Sequence, residues 1–465
     1  MTRSTDTQFT PRSLLNRCRD GFRGADRRDT QEHPRHNKRE RDVMAKHCGR
    51  TLGQLGLGFL LLGLLCTLGM GARPAAAWQR VVGQPGTPCP NAQYTTITAA
   101  INAANPGDEI VICPALYDEQ LVITKPLKLR GLSVNGIARV LIQPSSLTPV
   151  ASLGSEAVIA VLNTHDVTID NLAVDASKNA VTGCTPGLAA IHFHDASGTV
   201  QNSAIFGATA PGCTTALPFG NGVGVQVDAD KAGPFHVLIC GNSIHDFTAY
   251  GVLAVDAGVK ATITDNNIVG VGPSGGVFQF GVFIVNGAVG VIQNNLITEG
   301  NCGTLSITAC ISLRSEGITL RAVGDWTVVE NNFISKAQSG IFVNGARHLR
   351  VTNNFIGNID ALSGMDIQGS ASGYFTDSQI DWNTIYNVGP IDANASNNEE
   401  GCGINEYSAS GVSGNTISHN TINDAYCGVA SVAADQVSST VTRNTLYATL
   451  DSDSYPSTFP SATEP

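Results

Sequence analysis

The sequence predicts an all-β solenoid of short stacked strands, a parallel β-helix, and three observations support this. The motif apolar-x-x-Asn-x-apolar recurs along the chain, and a second motif, Gly-apolar-x-apolar, alternates with it. Between the motifs, apolar and polar residues alternate at period 2 over runs of about 4–6 residues, the pattern of half-buried strands. Repeats of about 20 to 50 residues are typical of solenoids, and no helical periodicity separates these strands.

The clearest repeat is the Asn-Asn-Phe-Ile sequence of residues 331–334, which returns at residues 353–356. An asparagine at the turn between two strands adopts left-handed backbone geometry readily. Its amide can also hydrogen-bond to the copies in the coils above and below, which makes a ladder. We therefore expect these motifs to be architectural, with Phe333 stacked on Phe355. The asparagines that we assign to the ladder are Asn266, Asn294, Asn331 and Asn353.

The first part of the repeat region differs from the rest, as the end coils of a solenoid should. Residues 94–110 place Ile97, Ala100, Ile101 and Ala104 on one helical face and then reach an Asn-Pro-Gly-Asp turn. This pattern predicts a short amphipathic helix that caps the open end of the coil stack and covers its edge strands.

The N-terminal segment has the layout of an export signal. The apolar stretch Leu52–Ala72 follows Lys46 and Arg50, and three alanines precede Trp78. We divide the chain into a charged disordered segment 1–43, which lies before Met44 and need not be translated, a signal peptide 44–77, a β-helix 78–447 and a disordered tail 448–465. The protein is then secreted, periplasmic or on the cell surface, without stable membrane insertion after cleavage. An uncleaved membrane anchor is the alternative, since the stretch approaches spanning length.

Charge limits the partners of the exported part. Residues 1–77 hold 14 of the 28 basic and 7 of the 38 acidic residues, so the remainder carries 14 basic and 31 acidic residues. A surface this acidic repels polyanions, which argues against nucleic acid. An anionic glycan would need a local basic groove or a bridging cation such as calcium. We expect a monomer.

Nine cysteines remain after residue 77, and none forms a C-x-x-C motif of the kind found in zinc or redox sites. In an oxidising compartment they are expected to form disulfides. Pairing neighbours in the sequence leaves Cys240 over and gives Cys89–Cys113, Cys184–Cys213, Cys302–Cys310 and Cys402–Cys427.

Residues 97–131 and the two alternating motifs resemble the secreted right-handed parallel β-helix proteins of the pectate-lyase-like superfamily, over roughly residues 90–447. This resemblance implies a right-handed β-helix that acts on or binds an extracellular polysaccharide. The superfamily includes lyases, hydrolases, epimerases, esterases, adhesins and copper-site accessory proteins, so one fold serves many activities. The polygalacturonase, alginate-epimerase and pectin-methylesterase signatures that we sought are missing from the sequence.

A site on such a fold is expected on the outer face of one sheet, where side chains of adjacent coils stack about 4.8 Å apart. In the Gly-apolar-x-apolar strands the outward positions follow from the period. In lyase chemistry an arginine near acidic groups can abstract the proton beside a uronate carboxylate while a cation neutralises that carboxylate. We assign catalysis to Arg321 and Asp366. We assign substrate binding to Asn344, Gln368, Phe342, Tyr407 and Gln226.

A second outward cluster contains metal-ligating residue types. His192 and His194 face the same way on one strand, and a neighbouring coil supplies Asp228 and Asp230. These four residues predict a divalent metal site, although outward histidine pairs are also ordinary surface residues. Between the clusters, two strands are apolar on the outside. Glu316 is expected to be a loop charge.

Three functions remain open at this point. An eliminative lyase on uronate polymers is the most specific one. A non-catalytic adhesion or structural protein would use the coil stack only as a scaffold, and a periplasmic metal-handling accessory would use His192 and His194.

Overall fold

The computed structural model describes fourteen stretches of the chain. They are residues 78–86, 89, 91–134, 137–138, 140–210, 212–213, 221–272, 279–300, 315–360, 362–369, 374–389, 401–408, 412–433 and 439–447. The expected charged segment, signal peptide and tail lie outside these residues, as do Cys302 and Cys310.

Three long parallel sheets run along the molecule, and each coil between the first and the last contributes one strand to each sheet in turn. Sheet A contains Gln79–Val82, Glu109–Ile112, Lys128–Gly131, Val167–Asp170, Gly198–Gln201, Phe235–Cys240, Val259–Thr264, Val289–Gln293, Val328–Glu330, Arg350–Thr352, Gln379–Asp381, Thr416–Ser418 and Thr440–Thr442. Sheet B contains Ala115–Tyr117, Val140–Ile142, Ala173–Asp175, Ala204–Phe206, Ser243–His245, Asn267–Val269, Leu296–Gly300, Phe333–Ala337, Phe355–Ile359, Thr384–Val388, Thr421–Ala425 and Thr445–Tyr447.

Sheet C completes the coil. It contains Leu121–Ile123, Ser155–Leu162, Gly187–His194, Val223–Asp228, Tyr250–Val255, Phe280–Val285, Glu316–Arg321, Ser339–Asn344, Met365–Gly369, Cys402–Ser408 and Cys427–Ala433. A small parallel sheet adds Ala346–Arg347, Phe375–Thr376 and Val412–Ser413, and an antiparallel pair adds Ser133–Val134 and Ile137–Ala138. The predicted fold class, a right-handed parallel β-helix, is confirmed.

The interior of the coil is one continuous core of stacked aliphatic side chains. On sheet A, the same inward position of nine successive coils is a buried valine or isoleucine, because a strand places every second side chain on the same face. Examples in coil order are Ile169, Val200, Ile239, Ile263, Ile292, Val329, Val351, Ile380 and Ile417.

The corner between sheets A and B uses two adjacent residues, one for the left-handed turn and one for the ladder. We had expected a single asparagine to take both roles. The first residue has a left-handed backbone, as in Asn294, Asn331 and Asn353, whose φ values are 57°, 58° and 54°. The next residue points inward and forms the ladder. The assignment of Asn294, Asn331 and Asn353 to the ladder is therefore wrong by one position, while that of Asn266 is confirmed.

The ladder has eight asparagines in the described residues, and the side-chain Nδ2 of each of the first seven donates to the Oδ1 of the next coil at 2.9–3.0 Å. The same Oδ1 accepts the backbone N–H of the preceding ladder asparagine, at 2.9–3.0 Å. Nδ2 also donates to a carbonyl of the previous coil. These bonds satisfy amides that would otherwise be buried without partners. The members are Asn242, Asn266, Asn295, Asn332, Asn354, Asn383, Asn420 and Asn444.

One short α-helix, Ile97–Ala103, is present in the described residues. Thr96 is its N-cap, and the Glu119 carboxylate accepts the backbone N–H groups of Ile97 and Thr98 at 2.7 and 2.8 Å. Ile97, Ala100 and Ile101 are buried against the first strands, so the predicted capping helix and its apolar face are confirmed.

Disulfides cross-link neighbouring coils. Three of the predicted pairs form, namely Cys89–Cys113, Cys184–Cys213 and Cys402–Cys427. Cys240 is also disulfide-bonded, so the expectation that it stays unpaired is wrong. Disulfides of this kind persist in oxidising compartments.

Candidate functional site

The outer face of sheet C carries the sequence-predicted residues in two rows that run along the coil stack. One row contains Arg321, Asn344, Gln368 and Tyr407, which pair in register on four successive strands. The other contains Thr319, Phe342, Asp366 and Asn405, in the same strands and the same register. The period-2 pattern thus placed these residues on one face, and we call the eight residues the Arg321 cluster.

The first row is the accessible part of the Arg321 cluster. Arg321, Asn344 and Gln368 are each half-buried. The amide of Asn344 donates to Oε1 of Gln368 at 3.4 Å, and the amide of Gln368 donates to Oδ2 of Asp366 at the same distance. Both bonds are long and therefore weak, which leaves these amides able to exchange partners with a ligand. Tyr407 joins the row by its backbone pairing, and its side chain lies outside the described residues.

The second row is buried and supports the first. Phe342 lies on the outer face, as predicted, but only 1% of it is exposed. The Arg321 guanidinium lies over the Phe342 ring, 5.2 Å from its centroid, and 6.0 Å from the centroid of the Phe283 ring. Cation–π contacts of this kind help to hold an arginine side chain in one orientation. The structure thus gives Phe342 the position of a platform for Arg321, and direct substrate contact by Phe342 stays a prediction.

Glu316 is a residue that the sequence analysis placed wrongly. It begins a strand of sheet C, it is 1% exposed, and its carboxylate accepts a hydrogen bond from the Thr319 hydroxyl. The prediction of a loop charge failed because the glutamate directly precedes the Gly-apolar-x-apolar motif. Because the strand extends one residue before Gly317, the sequence motif could have placed Glu316 in the strand.

An apolar strip, formed by Tyr250, Leu253, Phe280 and Phe283, separates the Arg321 cluster from the histidines. The four side chains belong to an apolar cluster that is separate from the main core, and each is 1% exposed. The three rings stack edge-to-face or in parallel with centroids 5.1–5.4 Å apart. The two polar clusters therefore share one face of sheet C, two strands apart.

His192, His194 and Asp228 form the second cluster, and Asp228 bridges the two rings. Nε2 of His192 lies 2.8 Å from Oδ2 of Asp228, and Nδ1 of His194 lies 2.6 Å from Oδ1. His194 and Asp228 are register partners on adjacent strands, which explains their contact. The nearest ligand-type atoms of the three side chains all lie within 4.8 Å of one another.

Gln226 belongs to this histidine cluster and is remote from Arg321. Its amide donates to Oδ2 of Asp228 at 2.7 Å. Burial alone would raise the pKa of Asp228, but the hydrogen bonds and charge of His192, with hydrogen bonds from His194 and Gln226, outweigh it and lower that pKa to about 2. Asp228 is therefore a carboxylate at any ordinary pH.

Two further carboxylates approach His194 from the side away from Asp228. Oδ2 of Asp195 and Oδ2 of Asp230 each lie 3.7 Å from its Nε2. Asp230 is 87% exposed at its side chain, whereas Asp195 is 4% exposed and also contacts the Lys231 ammonium at 3.2 Å. Asp230 was predicted from the sequence and Asp195 was not, although the His194-Asp195 dipeptide at the strand end was a signal for it.

Among the described residues no helix is both long and apolar enough to cross a membrane.

The comparisons with known proteins concern the fold. No curated protein matches the chain. The A-module of a mannuronan C-5 epimerase from Azotobacter vinelandii is 14% identical, with a TM-score of 0.41, over 75% of this chain and 93% of that one. A lacto-N-biosidase from Eubacterium ramulus is 13% identical, with a TM-score of 0.40, over 80% and 68%. An alginate lyase from a Paenibacillus species is 15% identical, with a TM-score of 0.37, over 76% and 94%.

A family model covers the C-terminal part of the stack. Residues 316–452 match the family described as a right handed beta helix region. The right-handed parallel β-helix that the sequence resemblance implied is thereby confirmed at the level of the fold.

Proposed function

We propose that this protein binds an extracellular uronate polysaccharide along the outer face of sheet C, at the Arg321 cluster, and cleaves it by elimination. The observation that carries the proposal is Arg321. It is a half-buried cation that two phenylalanine rings hold in place at the start of a polar row.

The row suits a linear acidic polymer. A guanidinium binds a carboxylate through two parallel hydrogen bonds. Asn344 and Gln368 then offer amides on the next two strands, at a spacing of about 4.8 Å. A polymer that lies along the coil axis would meet one such side chain per strand. The acidic surface disfavours polyanions at long range, so a local cation is needed to hold a uronate.

Elimination requires a group that neutralises the uronate carboxylate and a base that takes the neighbouring proton. The proton beside the uronate carboxylate goes to the base, a double bond forms in the sugar ring, and the glycosidic oxygen leaves and takes a proton. We assign the Arg321 guanidinium to the uronate carboxylate and Asp366 to the base, whereas the expectation from the sequence made the arginine the base. A bound calcium ion would supply further neutralisation, and oxygen ligands suit it.

The test is incubation of the full chain with alginate, polygalacturonate and hyaluronan, with and without calcium, while the ultraviolet absorbance of an unsaturated product is recorded. Affinity electrophoresis in gels containing each polymer measures binding in parallel. We expect retardation and product formation with at least one polymer, and loss of both in Arg321→Gln.

A matched control exists in Arg347, whose guanidinium lies 5.7 Å from the ring centroid of Tyr374, outside sheet C. Arg347→Gln should bind and cleave like the wild type. Equal loss in both variants, or no retardation by any polymer, would overturn the proposal. Retardation without product would leave a binding protein and remove the elimination step.

A further inference from the structure

We propose that His192, His194 and Asp228 form a binding site for a divalent transition-metal ion, separate from the Arg321 cluster. This site goes beyond the proposed function, because the apolar strip lies between the two clusters and neither needs the other. The ion is of intermediate hard–soft character, such as Zn²⁺, Cu²⁺ or Co²⁺. Imidazole nitrogen suits these ions, whereas calcium takes oxygen ligands.

The geometry supports three ligands from two strands. His192 and His194 stand two residues apart and project from the same face, and Asp228 projects beside them from the next coil. Nε2 of His192, Nδ1 of His194 and the Asp228 carboxylate converge, and the two nitrogens now lie 2.8 and 2.6 Å from Asp228 oxygens. An ion about 2.0–2.2 Å from each ligand would replace those hydrogen bonds.

Each histidine also has a partner on its other nitrogen, as metal-binding histidines usually do. Nδ1 of His192 lies 3.4 Å from the Ser155 hydroxyl. Nε2 of His194 lies 3.7 Å from a buried Asp195 oxygen. Gln226 meanwhile donates to the Asp228 carboxylate. The Ser155 contact helps to fix the His192 ring, whereas the 3.7 Å between His194 and Asp195 is an electrostatic contact beyond hydrogen-bond distance. Both contacts distinguish this cluster from exposed His-Asp neighbours elsewhere in the chain.

Solvent reaches the site from one side. The His192 side chain is 4% exposed, whereas His194 and Asp228 are 13% and 18% exposed. Three protein ligands with a partly open side correspond to a site that keeps one position for water or substrate. Asp230 is mostly exposed and stands beyond His194, so we assign it no direct bond to the ion.

The experiment is titration of the chelator-treated full chain with Co²⁺, followed by visible absorbance, and with Zn²⁺ by competition. We expect one equivalent to bind with a tetrahedral or five-coordinate Co²⁺ spectrum. Affinity should fall more than about 100-fold in His192→Gln and in Asp228→Asn, and about 10-fold in Asp195→Asn, the size typical of partners behind a ligand. Asp230→Asn should bind like the wild type.

The matched control is His165→Gln, because His165 forms an exposed pair with Asp166 at the same 2.8 Å distance. Far-ultraviolet circular dichroism and the melting temperature establish that each variant is folded. Equal Co²⁺ affinity in wild type and in folded His192→Gln would overturn the site, as would equal losses in His165→Gln. Because the readout is metal affinity, failure of polysaccharide binding would not affect it.

Discussion

At the corner between sheets A and B, successive coils place the same side chain, asparagine, at one inward position. On the outer face of sheet C, successive coils place a different side chain at each position, although the register is kept just as well. The corner satisfies its polar groups within the stack, through bonds of 2.9–3.0 Å. On the outer face of sheet C, the half-buried amides of Asn344 and Gln368 form only long hydrogen bonds of 3.4 Å. Identity from coil to coil therefore marks architecture, and variation at constant register marks the surface available for recognition.

The largest effect should come from the ladder. Asn332→Ala removes the donors to Asn354 Oδ1 and Ile292 O and the acceptor for Asn295. Several buried groups lose their partners, at about 1–3 kcal/mol each, so we expect a loss of about 4 kcal/mol in the free energy of unfolding. Urea denaturation followed by circular dichroism measures it.

Its control is the residue before it. Asn331 is exposed and has a φ of 58°, a conformation that glycine adopts without strain. Asn331→Gly should change the unfolding free energy by less than about 1 kcal/mol. If the two variants were equally destabilised, the division of roles between adjacent asparagines would be wrong.

A smaller change in stability is expected on the outer face of sheet C. Gln368→Ala removes two long hydrogen bonds from a half-buried side chain, so the free energy of unfolding should fall by no more than about 1 kcal/mol. The same variant should bind uronate polymer measurably more weakly. Asn332→Ala should be much less stable but, at a temperature where it is folded, should bind the uronate polymer like the wild type. A Gln368→Ala variant as unstable as Asn332→Ala would remove the distinction between corner and face.

The smallest effect is a dependence of stability on pH. The ladder amides do not titrate, so this dependence should come from carboxylates such as Glu109. A hydrogen bond from Arg130, together with one from Gln79, lowers the pKa of Glu109 from 4.5 to about 2 despite some burial. A lowered carboxyl pKa contributes stability above pH 4.5 that is lost as the pH falls through about 2. The stability difference between wild type and Glu109→Gln should therefore shrink over that range, while the cost of Asn332→Ala stays constant. A constant Glu109→Gln difference would contradict the assignment.

Much of the fold follows from the sequence because a strand has period 2 and a coil has a repeated turn. The register of Arg321, Asn344 and Gln368 could be read in this way. The ladder position was missed by one residue because many corners contain two asparagines. The signal was nevertheless present, since Trp382 and His419 take the left-handed position in other coils while asparagine follows both.

The site was less predictable, because exposure depends on what covers a face. Alternation showed that Phe342 points away from the core, yet it could not show that the ring would be buried beneath Arg321. Likewise the pattern put His192 and Asp228 on adjacent strands. It did not show that one carboxylate would bridge two rings, since that depends on side-chain rotamers.

The doubled Asn-Asn-Phe-Ile sequence has a consequence for how the gene can change length. Deleting residues 333–354 would join Asn332 to Phe355 and regenerate the same four letters at the junction. One strand would leave each long sheet, and Asn332 would donate to Asn383 in place of Asn354. On the outer face, Arg321 would then neighbour the coil of Asp366 directly. Recombination at the repeated Asn-Asn-Phe-Ile sequence can thus bring recognition side chains together by one strand spacing while the internal hydrogen bonding is preserved.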